Sequence, residues 1–378
     1  MLEVAIKKKL DNFTLETAFQ LETGCLGILG ASGCGKSVTL QCIAGILTPD
    51  EGIIRLDGRV LFDSAKKINI RPQERRIGYL FQNYALFPNM TVAENIAAGF
   101  QDRIGVGNDT RAERKRRQME KVDEMLSRFS LTELAKRYPK HLSGGEQQRT
   151  ALARLLIGEP KVLLLDEPFS ALDAYLKEGL QLELLEIIRR LLVPAVLVTH
   201  SRDEVYRLSS RLMIMDRGLA EESEATRELF LRPKSRVAAK LTGCKNISAA
   251  FWAEEGWYVP EWDLDIPVSA GGEKADYIGI RAHDFVHRRE EGREQDYIPM
   301  EIAIRGISEG PFEWNVTFQK RRLQEQSVRK WGFPNQSIQT QEALLWWKVG
   351  KELLKTREEL EQVTSLYIRK TGILYLRA

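Results

Sequence analysis

The sequence predicts an α/β protein followed by a smaller, β-rich, OB-like barrel, and three observations carry that expectation. Short apolar runs of strand type alternate with helical stretches through the first part of the chain, as in a parallel sheet covered by helices on both faces. Between Gln82 and Glu159 the pattern turns wholly helical, which places a helical subdomain at about residues 83–159. All seven tryptophans fall between Trp252 and Trp347, and a composition change that sharp starts a second domain near residue 240. Arg232-Pro233, just before it, suits a linker, so the expected domains are 1–235 and 240–378. A chain of 378 residues is long for one core, and two domains are the ordinary expectation.

The elements follow in order. "CLGILG" is a buried strand ending in glycine, and "KSVTLQCIAGI" reads as the helix after it. "RIGYLFQ", "KVLLLDE", "PAVLVTH" and "RLMIMDRG" are further buried strands. In the insert, "TVAENIAAGF" is one helix. Arg111 to Phe129 is another, with Met119, Val122, Met125, Leu126 and Phe129 along one face. Its basic run "RAERKRR" is a solvated face. In the second domain "YIGIRAHDF", "MEIAIRGISE", "EWNVTFQ" and "SLYIRKTGILYLR" read as strands, and "QEALLWWKVGKELLKTREELEQV" as mostly helix.

Composition narrows the function classes. With 56 basic and 53 acidic residues the net charge is +3, which gives no sign of nucleic-acid binding. The four cysteines, Cys25, Cys34, Cys42 and Cys244, form no CxxC pair, so reduced thiols in a cytosolic chain are expected and no zinc site. "MLEVAIKKKLDNF" has no apolar core long enough for a signal peptide. No apolar run approaches the ~20 residues of a spanning helix, so membrane association is expected through a partner.

The chemistry lies at strand ends. Gly30, Ala31, Ser32, Gly33, Cys34, Gly35, Lys36 and Ser37 spell "GASGCGKS", which fits GxxxxGK[ST] between a strand and a helix. Amides from Gly33 to Ser37 face phosphates, Lys36 reaches the β- and γ-phosphates, and the Ser37 hydroxyl binds Mg²⁺. "VLLLDEP" ends a buried strand in two acids. Asp166 is the candidate to hold Mg²⁺, and Glu167 the one to polarise the attacking water. Gln82 and His200 end two further strands, where an amide touches Mg²⁺ or water and an imidazole meets a γ-phosphate. Ser143, Gly144 and Gly145 begin a second anion-facing helix start, more than a hundred residues downstream. One nucleotide is not expected to reach both starts if the insert projects from the sheet. Two copies about a two-fold axis supply them, with two ATP sandwiched between.

With these residues in hand, "GASGCGKS", Gln82, "LSGGEQQR", "LLLDEP", "SALD" and "VTH", in this order, resemble the ATP-binding subunit of an ABC transporter over about residues 1–240. The resemblance implies ATP and Mg²⁺ as ligands and a homodimer at the cytoplasmic face of the membrane. Transmembrane permease subunits and a solute-binding protein are its implied partners. It implies that Ser143 to Gln147 contact the opposite subunit's ATP, that Ser170 to Asp173 couple the two sites, and that Phe13 stacks on adenine. Val38 stands where the family usually has threonine. "LTGCKNIS", "IGIRAHD" and "LLWWKV" are similar to the ATPases of molybdate and tungstate importers with a regulatory barrel, which implies import of such an oxyanion and an oxyanion site in the second domain. Sulfate, iron, sugar and polyamine ATPases share the layout and remain alternatives. A soluble ABC ATPase of translation or repair, or a nucleotide kinase, fits less well with one cassette and "LSGGEQQR".

Overall fold

The computed structural model describes residues 1–100, 110–170, 174–191, 193–253, 256–267, 275–321 and 343–378. Two compact units form, Met1–Arg227 and Glu228–Ala378.

The first unit is built on a twelve-stranded sheet. Its strands are β1 (Leu2–Lys9), β2 (Thr14–Leu21), β3 (Cys25–Leu29), β4 (Glu51–Leu56), β5 (Arg59–Asp63), β6 (Ile68–Asn69), β7 (Ile77–Leu80), β8 (Val162–Asp166), β9 (Ala195–Thr199), β10 (Arg211–Asp216), β11 (Leu219–Ala220) and β12 (Glu224–Ala225). The order β10-β3-β9-β8-β7 is parallel throughout. In β8 every residue is buried, with Val162 and Leu164 packing in one core and Leu163 and Leu165 in the other. A strand covered on both faces needs such an unbroken apolar run.

The sheet is mixed rather than purely parallel. β6-β5-β4-β1-β2 form an antiparallel wing beside the parallel strands. Its signals are present in the sequence. Leu15, Thr17, Phe19 and Leu21 of β2 alternate buried with exposed neighbours, the period of a half-buried strand. Asp57 and Gly58, with φ of 51° and 76°, make the tight turn between β4 and β5, where a right-twisted hairpin needs two left-handed residues.

Helices α1 (Lys36–Ala44), α2 (Val92–Ala98), α3 (Arg111–Arg128), α4 (Gly144–Leu156), α5 (Ala174–Leu191) and α6 (Arg202–Leu208) belong to this unit, α7 (Thr226–Leu231) runs across the boundary in the chain, and α8 (Arg236–Leu241) belongs to the second unit. Three helices of the insert start the same way. Thr91 and Glu94, Thr110 and Glu113, and Ser143 and Glu146 form capping boxes at α2, α3 and α4, which satisfy amides that have no intrahelical partner. On α3, Val122, Met125, Leu126 and Phe129 are buried, but Met119 is 58% exposed. It lies on the flank of the stripe, one turn before the helix meets the core, so it leaves the expected apolar face. Arg111–Arg116 are exposed as expected.

The second unit holds β13 (Asn246–Ala249), β14 (Phe251–Ala253), β15 (Gly256–Val259), β16 (Leu264–Pro267), β17 (Tyr277–Ile280), β18 (Phe285–Val286), β19 (Tyr297–Glu309), β20 (Glu313–Lys320), β21 (Leu345–Gly350), β22 (Ser365–Arg369) and β23 (Ile373–Leu376), with a five-residue helix α9 (Arg357–Glu361). The order β18-β22-β19-β20-β21 is a five-stranded sheet curled into a nearly closed barrel. Across the opening, Lys348 N donates to Ala282 O at 2.8 Å and Trp347 Nε1 to Phe285 O at 3.0 Å. The stretch read as mostly helix is strand at its start. Leu345, Trp347 and Val349 are buried and alternate with Trp346 and Lys348, so the period is two, and only α9 is helical. Gln341 and Glu342 lie outside the described residues.

Candidate active site

The carboxyl edge of the parallel strands carries the candidate residues. The loop after β3 turns into α1 through Gly35 at φ 109°, a conformation that a Cβ disfavours. Gly30 admits no larger residue, because an added Cβ would stand 2.3 Å from Met215 O. Lys36 opens α1 and is buried, its Nζ donating to Gly30 O at 2.9 Å and Ala31 O at 2.8 Å. The ammonium is thus held over its own loop by two carbonyls. Ala31, Ser32 and Gly33 are exposed at the loop's tip. The Cys34 side chain turns into the core instead, where burial pushes its thiol up.

Asp166 ends β8 beside this loop. Ser37 Oγ donates to its Oδ1 at 2.8 Å, and Tyr79 Oη to its Oδ2 at 2.8 Å. Burial, and then the Asp166 charge, push the Tyr79 phenol far up, so it stays a donor. Tyr79 is not singled out by the sequence pattern, because a tyrosine at a half-buried strand position carries no signal of its partner. Glu167, next along, has φ 44°, a strained conformation for a residue with a Cβ. Its Oε2 accepts from Gln82 Nε2 at 3.3 Å, and its Oε1 lies 3.2 Å from His200 Nδ1. Behind His200, Thr199 Oγ1 donates to buried Glu204 at 2.6 Å and accepts from Ser201 N at 3.0 Å.

A cleft of about 400 Å³ opens onto Lys36, Ser37, Gln82 and Glu167. Leu10, Phe13, Ser32, Gly33, Gly35, Lys36, Ser37, Val38, Gln82 and Glu167 line it. Phe13, on the loop between β1 and β2, forms a wall. Ser143, Gly144, Gly145 and Gln147 are not among the lining residues. They start α4, where Ser143 N donates to Glu146 Oε2 at 2.7 Å and Gln147 Nε2 donates to Pro139 O at 3.2 Å and Leu142 O at 3.1 Å. Ser170 Oγ donates to Glu167 O at 3.0 Å; Asp173 lies outside the described residues.

The ABC transporter family model matches residues 16–170. A sulfate/thiosulfate import ATP-binding protein of Vibrio cholerae is 36% identical over 76% of this chain and 73% of its own length. The chain belongs to the ABC transporter family. As an ABC transporter ATPase it binds and hydrolyses ATP. A sulfate/thiosulfate import ATP-binding protein of Shewanella oneidensis is 34% identical over 86% of this chain and 88% of its own. A spermidine/putrescine import ATP-binding protein of Chromobacterium violaceum is 39% identical over 65% of this chain and 66% of its own. Among solved structures, cbiO1 from Clostridium perfringens, part of the ABC transporter complex cbiONQ, superposes with a TM-score of 0.51 at 28% identity, covering 61% of this chain and 90% of that one.

These relatives do not support the expected likeness to molybdate and tungstate importers. The stretch "LTGCKNIS" has also spent most of its polar groups. Thr242 O accepts from Arg281 Nη1 at 2.9 Å, Asn246 Nδ2 donates to Ile280 O and Trp346 O, and the Lys245 ammonium sits 4.2 Å from the Trp346 ring centroid. A motif of small polar residues is ambiguous in sequence because the same groups suit an anion or a buried turn. The ATP site itself fits Mg²⁺. Ser37 Oγ and Asp166 are oxygen donors 2.8 Å apart beside a phosphate loop, and hard oxygen ligands supplemented by substrate phosphates are what that ion takes. Among the described residues no helix is long and apolar enough to cross a membrane.

Proposed function

We propose that this chain is the ATP-hydrolysing subunit of a sulfate or thiosulfate importer, working as a homodimer against membrane permease subunits at the cytoplasmic face. The observation that carries the dimer is the make-up of the cleft. Lys36, Ser37, Gln82 and Glu167 line it and the Ser143–Gly145 helix start does not. A second copy brings its own Ser143–Gly145 to the phosphates. Coverage supports this solute: the two sulfate/thiosulfate relatives align over 76% and 86% of this chain. The polyamine relative aligns over 65%, and its higher identity keeps spermidine or putrescine as the second reading.

ATP supplies the phosphoryl group and Mg²⁺ neutralises its charge. Lys36 exchanges two neutral carbonyls for phosphate oxygens, a gain because donor and acceptor then carry opposite charges. Ser37 and Asp166 would hold the cation. Glu167 accepts the proton of the attacking water, with Gln82 and His200 fixing its two oxygens. A ligand shifts an equilibrium only by its differential affinity; contact with both chains supplies that difference and closes the dimer, and hydrolysis removes it.

The test is ATP-driven uptake in vesicles carrying the neighbouring permease and its solute-binding protein. Sulfate or thiosulfate uptake is expected, with none of spermidine; spermidine uptake alone moves the assignment to polyamines.

A further inference from the structure

The segment after Gln82 contains two adjacent left-handed residues that are not glycine, Tyr84 at φ 59° and Ala85 at φ 44°. Such a pair stands only where the surroundings hold it. One side chain does so from α4. Arg154 Nη2 donates to Tyr84 O at 2.8 Å and Nη1 to Ala85 O at 2.8 Å, so one planar fork binds both carbonyls of the strained pair. The same guanidinium lies 5.2 Å from the Phe87 ring centroid. Phe87 is fixed from α2, its N donating to Asn95 Oδ1 at 2.8 Å and its O accepting from Asn95 Nδ2 at 3.1 Å. At the other side Tyr84 Oη donates to Pro168 O at 3.3 Å, one residue past Glu167. The two helices also meet at this point, since a Cβ on Gly99 would stand 1.8 Å from Arg154 O.

We propose that Arg154 is a positioning residue for Gln82: by holding the Tyr84–Ala85 turn in its left-handed form it sets where the Gln82 amide stands relative to Glu167, and it ties that amide to the helix that begins at Ser143. The proposal rests on the reading of Gln82 as part of the hydrolytic site. A physical consequence follows. Movement of α4 is passed to Gln82 through one guanidinium, and without it the turn relaxes to ordinary backbone and withdraws the amide.

The experiment uses the full chain with Arg154→Met, with Arg154→Lys as a milder variant that keeps charge but not the fork. ATP affinity is read by titration, hydrolysis by phosphate release, and folding by circular dichroism. Affinity should stay within about twofold while kcat falls on the order of tenfold, since only transition-state positioning is lost. Ala85→Gly, which tolerates left-handed backbone, should recover about half of that loss in the Arg154→Met background and change the parent little. Arg154→Lys should fall between the two. A folded Arg154→Met protein that hydrolyses at the parent rate, or whose loss Ala85→Gly does not touch, overturns the proposal. Gln82→Ala is the separate control: a parent rate there removes the reading of Gln82 itself, and the proposal with it.

Discussion

In the unit from Met1 to Arg227 the polar groups at the strand ends bond to one another around an open cleft. In the unit from Glu228 to Ala378 several buried polar groups close onto backbone carbonyls. Ser37, Asp166 and Tyr79 form one small network at the sheet edge and Gln82, Glu167 and His200 another, with Lys36 beside them on two carbonyls of its own loop. By contrast Trp314 Nε1 donates to Leu354 O, Trp347 Nε1 to Phe285 O, and Arg281 Nη1 to Thr242 O. An indole has one donor, and once it is used nothing is left for a ligand. The first arrangement can trade partners; the second holds a barrel shut. Exchangeable side-chain pairs at the strand ends therefore mark the site in the first unit, while bonds to backbone carbonyls hold scaffold in both, as Asn95 does at Phe87.

The largest effect should come from the exchangeable network. Glu167→Gln removes the acceptor for the water's proton and keeps the shape. Hydrolysis should fall by roughly 10²–10⁴ while ATP affinity holds, measured by phosphate release and nucleotide titration. A parent rate would take Glu167 out of the reaction. In the closed network, Trp347→Ala deletes a fully buried ring and strands Phe285 O. It should cost the second unit about 3–5 kcal/mol and leave ATP affinity unchanged. All seven tryptophans lie in that unit, so indole fluorescence during urea unfolding reports it alone. Loss of ATP binding in step with the fluorescence would erase the contrast between the units. Tyr79→Phe leaves one Asp166 oxygen unpaired, worth about 1–3 kcal/mol. The Mg²⁺ concentration for half-maximal hydrolysis should rise several-fold; an unchanged requirement would separate Tyr79 from the metal site. Met119→Ser, on the exposed flank of α3, should stay within ±0.5 kcal/mol, read by thermal unfolding.

The same contrast explains what the sequence could tell. A phosphate loop, a strand ending in Asp166-Glu167 and a capped helix start at Ser143 are local, a few residues each, so their chemistry is visible in order along the chain. Partners far apart are not. Tyr79 meets Asp166 across 87 positions and Arg154 meets Tyr84 across 70, and neither pair has a spacing that announces it. In the barrel, β21 pairs with β20 across a long connection. Two adjacent tryptophans after two leucines mimic a helical stripe until the pairing imposes a period of two. The antiparallel wing differs, because the alternation in β2 is itself a local signal.

The central claim is that Ser143 of one chain completes the site of another. Lys36→Ala and Ser143→Arg chains should each be inactive alone. Mixed at equal concentration and allowed to exchange, they form dimers in which the Lys36 of one chain faces the Ser143 of the other. ATPase activity should then return to roughly a quarter of the parent level, one intact site in half of the dimers. Mixed dimers that form, as shown by cross-linking, yet hydrolyse no ATP would contradict the account.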